Sequence, residues 1–131
     1  MLHPHTVIVY DELEASEAVR WEWLLHSPTE FKIDAVKKTL STDNKTKGWV
    51  AVTQLFGGHV FTLSQTDRFV VPPAITGAEY PNQWHLTARV DGCSATRFLA
   101  IIQVGDEAVS IINRDGDTFN VGDWTIKAVL D

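Results

Sequence analysis

Cys93 has no second cysteine to pair with, so an internal disulfide and a cysteine-rich zinc site are both excluded. It sits in Val90-Asp91-Gly92-Cys93-Ser94, which reads as a turn between two strands. No neighbouring base is there to activate a thiol, and an inert small residue is the expectation. Cations are scarce as well: 11 Lys and Arg stand against 17 Asp and Glu, for a net charge of -6. That balance argues against nucleic acid as a partner, because the phosphate backbone is held mainly by basic charge. Lys37, Lys38, Lys45 and Lys47 come nearest to a cluster, but Asp34 and Asp43 interleave with them, giving a solvated strand-and-turn surface. No apolar run reaches the roughly 18 residues of a membrane span. Residues 1–6 lack the basic and apolar regions of a signal peptide. A sustained helical period is missing too, as are a nucleophile elbow, a phosphate loop, a His-Glu-x-x-His helix and a dinucleotide fingerprint.

What remains is ordinary core material in one domain's length. The chain has 131 residues, of which 44% are hydrophobic. Folding at this size buries about two thirds of the unfolded surface, so no metal is needed to hold a core together. Period-two alternation or short β-branched and aromatic runs recur at residues 6–10, 19–25, 31–34, 49–56, 60–63, 83–90, 96–104, 108–113, 118–121 and 124–130. Turn residues separate them, among them Gly57-Gly58, Asp91-Gly92, Asp115-Gly116 and Gly122-Asp123. The sequence therefore predicts an all-β fold, an antiparallel β-sandwich of about ten short strands in a single domain spanning residues 1–131. Residues 12–18 read as the loop of a first hairpin. Residues 67–82, with three of the five prolines, read as a long packed loop. Entry and exit directly in strands predict a fragment of a larger protein.

Five histidines are the main candidates for chemistry. His3 and His5 lie at a terminus and His59 in a glycine turn, all expected to be exposed. His26 closes the strand Trp21-Glu22-Trp23-Leu24-Leu25-His26, and read alone it is a structural histidine bonded to backbone or carboxylate. In Gln83-Trp84-His85-Leu86-Thr87, alternation puts Trp84 and His85 on opposite faces; tryptophan and histidine are also residue types that grip sugars. Spacing alone singles out no acid and base pair.

Two blocks resemble a known family. Thr6-Val7-Ile8-Val9-Tyr10-Asp11-Glu12-Leu13, followed by the aromatic strand ending in His26, is similar to the start of the C-terminal β-region of heparinase II/III-like polysaccharide lyases. Thr66-Asp67-Arg68-Phe69, Gln83-Trp84-His85-Leu86-Thr87 and Thr96-Arg97-Phe98-Leu99-Ala100-Ile101-Ile102-Gln103 resemble its later strands. The resemblance implies a parent that cleaves acidic polysaccharides by β-elimination in the periplasm or cell envelope. An N-terminal α/α-toroid, absent from this sequence, would hold the catalytic residues. It also implies a divalent metal, zinc, with Asp11 and His26 as ligands shared with an upstream His. Trp84 and His85 are the candidate substrate contacts. The alternative class is a carbohydrate-binding module using aromatics such as Trp84 or Trp124, or a plain β-sandwich interaction domain presenting an apolar patch.

Overall fold

The computed structural model describes residues 5–44, 49–71, 81–105 and 112–131. Among these residues there is no helix. Nine strands occur: β1 (Thr6–Ser27), β2 (Lys32–Asp34), β3 (Thr39–Asn44), β4 (Trp49–Gly57), β5 (Thr62–Thr66), β6 (Trp84–Gly105), β7 (Asn113–Asp115), β8 (Thr118–Val121) and β9 (Trp124–Lys127). All pairings are antiparallel. A six-stranded sheet runs in the order β1-β6-β4-β3-β2, with β5 also paired to β6, and β7-β8-β9 form a separate sheet. The expected all-β, sandwich-like class is what the chain adopts.

The strand lengths differ from the expectation. Residues 12–18 do not turn back as a hairpin loop; they continue β1, a strand of 22 residues. Likewise Asp91-Gly92 does not end a strand but lies inside β6, also 22 residues long. Gly92 takes a positive φ of 71° there, and the pairing with β1 shifts register between Glu14 and Val19 and again between Val19 and Trp21. Turn-forming residues at this level thus make a bulge, which re-aims a strand without reversing it. Of the segment 67–82, residues 67–71 and 81–82 are irregular as expected, while 72–80 lie outside the described residues. The expected strand at 108–113 falls largely outside them too.

The bend can be measured from a side chain. Trp23 Nε1 donates to Asp11 Oδ2 at 3.2 Å although the two are 12 residues apart on one strand. Straight, that interval would span roughly 40 Å, so β1 must fold back on itself. β4 and β5 pair along the same side of β6 and break opposite its bulge, at residues 58–61. The long sheet therefore curls about one level. Its concave face encloses Leu55, Leu86, Ala88, Val90, Phe98 and Ala100, with Phe31 and Leu40 from the β2–β3 region. Gln65 acts there as a one-residue strand: its carboxamide accepts from Phe31 N at 3.1 Å and donates to Phe31 O at 3.0 Å. No described buried side-chain polar atom lacks a partner.

A second core lies on the opposite face of the C-terminal half of β6. Ile8, Phe56, Leu99 and Ile101 meet Ile112, Phe119, Val121, Ile126, Ala128 and Leu130 of the small sheet and its flanks. The two sheets are stitched by Gln54, buried, whose Oε1 accepts from Ile112 N at 3.1 Å. Both hairpins of the small sheet turn on two residues, Gly116-Asp117 and Gly122-Asp123. In each the first residue is a glycine at positive φ, the conformation that tight hairpin turns require.

Candidate functional site

The bend collects the described polar groups with the most chemical character. From β1 come Tyr10, Glu12 and Glu14, from the 58–61 break His59, from β6 Thr96 and Arg97, and from beyond β9 the segment Ala128 to Asp131. They line two adjoining cavities of about 360 and 530 Å³ that share Glu12 and Arg97. The period of two places them, since even-numbered residues of β1 face away from the concave core. Gly58 brings its own backbone close enough to donate from N to Arg97 O at 3.0 Å, which carries His59 over Thr96.

Within this cleft Tyr10, Glu12, His59, Thr96 and Arg97 each already have a partner. Arg97 Nε donates to Glu12 Oε1 at 2.8 Å and its Nη1 to Asp131 O at 2.6 Å. The hydrogen bond with Glu12 holds the guanidinium even more firmly protonated than usual. His59 Nδ1 lies 3.2 Å from Thr96 Oγ1. Tyr10 Oη donates to Val129 O at 2.7 Å. Desolvation, followed by the neighbouring Glu12 carboxylate, pushes the Tyr10 phenol above its ordinary value, with Arg97 opposing. A phenol held neutral with its proton committed to a carbonyl is a fastener for the 128–131 segment, not a base.

That assignment has a measurable sign. Because the folded pKa of Tyr10 is raised, its contribution to stability is present below the unfolded value of 10.0 and is lost as pH rises through the folded one. Ultraviolet titration in a Tyr80→Phe background, which leaves Tyr10 as the sole tyrosine, is expected to show a midpoint above 10.0. A midpoint at or below that value would contradict the fastening role.

The residues singled out by sequence are dispersed. Asp11 faces the concave side, where it accepts from Trp23. His26 is exposed on the opposite face, opposite His85 of β6, with ring centroids 4.4 Å apart. Asp11 and His26 therefore do not converge as zinc ligands; strand alternation separates them, and one is already occupied by an indole. Among the described residues no group of three His, Cys, Asp or Glu side chains is placed to hold a metal ion. Trp84 and His85 part in the same way, Trp84 packing on the concave core and His85 standing on the outer face, so they cannot form one sugar platform. Trp21 and Trp23 also pack on that core, and Trp124, 48% exposed, is not part of it. His3 lies outside the described residues. Cys93 is half-buried and its backbone carbonyl accepts from Trp21 Nε1 at 3.0 Å.

Sequence reasoning missed the cleft at the bend because its members come from four segments. The one local signal was Gly57-Gly58-His59, read only as a turn. Beside it, Asp91 takes Arg20 Nε and Arg89 Nε at 3.0 Å each, both exposed pairs of small energetic weight. No family model matches this chain, and no curated protein is similar to it at a significant level.

Proposed function

We propose that this chain is an accessory β-domain of a heparinase II/III-like polysaccharide lyase, non-catalytic by itself, in a protein of the cell envelope. In this reading it packs on an N-terminal α/α-toroid and helps wall a cleft for an acidic polysaccharide. One observation supports it above the others. The two blocks that resemble the family are hydrogen-bonded partners, from Thr6 opposite Gln103 to Ser27 opposite Trp84. Apart from Thr66-Asp67-Arg68-Phe69, the likeness thus falls on one pair of strands. A net charge of -6 suits a supporting wall better than the principal site for a polyanion. The chemistry of the bend agrees, since Tyr10 and Arg97 are engaged in fastening the chain's own 128–131 segment.

Two measurements test the proposal. The purified chain, incubated with heparan sulfate, chondroitin sulfate and alginate, is expected to give no rise in the ultraviolet absorbance of unsaturated uronate. Mixed with the separately produced toroid of such a lyase from the same organism, it is expected to co-elute in size-exclusion chromatography. Turnover by the chain alone would overturn the non-catalytic assignment, and separate elution would overturn the accessory one.

A further inference from the structure

β1 ends the six-stranded sheet, and among the described residues its one strand partner is β6. Among the described residues, no main-chain hydrogen bond reaches the outer edge of residues 21–27. A bare edge of this kind is a template for another strand, and natural proteins blunt such edges with prolines, bulges or charges. Here the bulge and the proline only mark its ends, and Glu22 is the one carboxylate between them. The register shift stops at Trp21, and Pro28, which has no N–H to donate, follows Ser27. Between them run seven regular residues whose midpoint is Leu24, a side chain 54% exposed.

We infer that this edge joins a second copy of the chain, antiparallel and centred on Leu24. A two-fold pairing of a finite edge uses all of it only when centred on its midpoint. The sequence is self-complementary about that point. On the outer face Leu24 meets Leu24 of the other copy, and Glu22 of each copy meets His26 of the other, an imidazole donor beside a carboxylate. On the inner face Trp23 stands opposite Leu25, both half-buried on the concave core, so the two cores would run together across the seam. Cross-strand pairs of these kinds are the ones that stabilise antiparallel ladders, and a shift of one residue would put each side chain on the wrong face. Glu12, Glu14 and Glu17 lie beyond the overlap, so their like charges do not oppose it. The inference concerns the outer edge of β1 and stands apart from the proposed accessory role.

Sedimentation equilibrium over a range of concentrations is expected to show a reversible monomer–dimer system. Leu24→Lys, which sets two ammonium groups face to face, is expected to weaken association roughly tenfold or more. Glu22→Lys should weaken it as well, and Glu22→Lys combined with His26→Glu should restore it by reversing the pair. These side chains face solvent, and circular dichroism checks that each variant keeps its strands. Should Leu24→Lys fail to fold, the loss and recovery in the charge-swapped pair test the interface alone. A wild-type chain that stays monomeric at every concentration would overturn the inference and leave the edge to a strand of another protein. Dimers indifferent to both Leu24→Lys and the charge swap would overturn it too.

Discussion

Phe119→Ala is expected to destabilise the chain by about 3–5 kcal/mol, a large share of the roughly 5–15 kcal/mol that holds a domain together. Phe119 is fully buried on β8, in a core that joins the two sheets. Its ring meets Phe56 edge-on at 4.9 Å, and Arg114 lies over it at 5.4 Å. Truncation removes the aromatic pair, leaves a cavity against Leu99 and Ile101, and strips Arg114 of the surface its guanidinium covers. Thermal unfolding should register it as a drop in Tm on the order of 10 °C or more. Phe119→Leu keeps most of the volume and should cost well under half as much. An alanine variant within about 1 kcal/mol of the parent would mean that the three-stranded sheet does not pack where it is placed.

Gly58→Ala is the second large effect, and its cause is space. A Cβ built on Gly58 would lie 1.9 Å from Leu130 O and 3.0 Å from Leu130 C, both backbone atoms that no rotamer change can move aside. The opposite escape is closed by the hydrogen bond from Gly58 N to Arg97 O. The expected cost is about 2–4 kcal/mol, with the 128–131 segment detached from the bend. Gly92→Ala makes the instructive contrast. Nothing lies within 4 Å of its added Cβ, so only the strain of a positive φ applies, about 1 kcal/mol. Urea titrations of the two variants separate the causes. Equal losses would refute the steric account of Gly58.

Much of this architecture is legible in the sequence because alternation is a local signal. The pattern of residues 118–121 predicts a strand, and they form β8 with those bounds. The same rule places Trp84 and His85 on opposite faces, and they take them. The misreadings share one source: residues that favour turns also favour bulges, and only the partner strand decides between the two. Asp91-Gly92 reverses nothing because β1 is there to continue the ladder past it, an event about 70 residues away in the chain and invisible from either side. The same ambiguity hid the cleft. Its residues were each visible, but their meeting depends on a bend shared by β1, β6 and the β4–β5 break. Asp11 illustrates the cost of that blindness, since its real partner, the Trp23 indole, lies on its own strand beyond the bend.

The pairing of β1 with β6 sets the order in which the protein can be made. Thr6 waits for Gln103 and Ser27 for Trp84, intervals of 97 and 57 residues in the chain. A nascent chain leaving the ribosome therefore carries β1, with Trp21, Trp23 and Leu25, without its mate until β6 has been translated. Closing contacts this distant makes folding slow, in the range of milliseconds to seconds typical of strand-rich topologies. Within this sequence, synthesis from the N-terminal side thus exposes the apolar face of β1 before the strand that covers it exists.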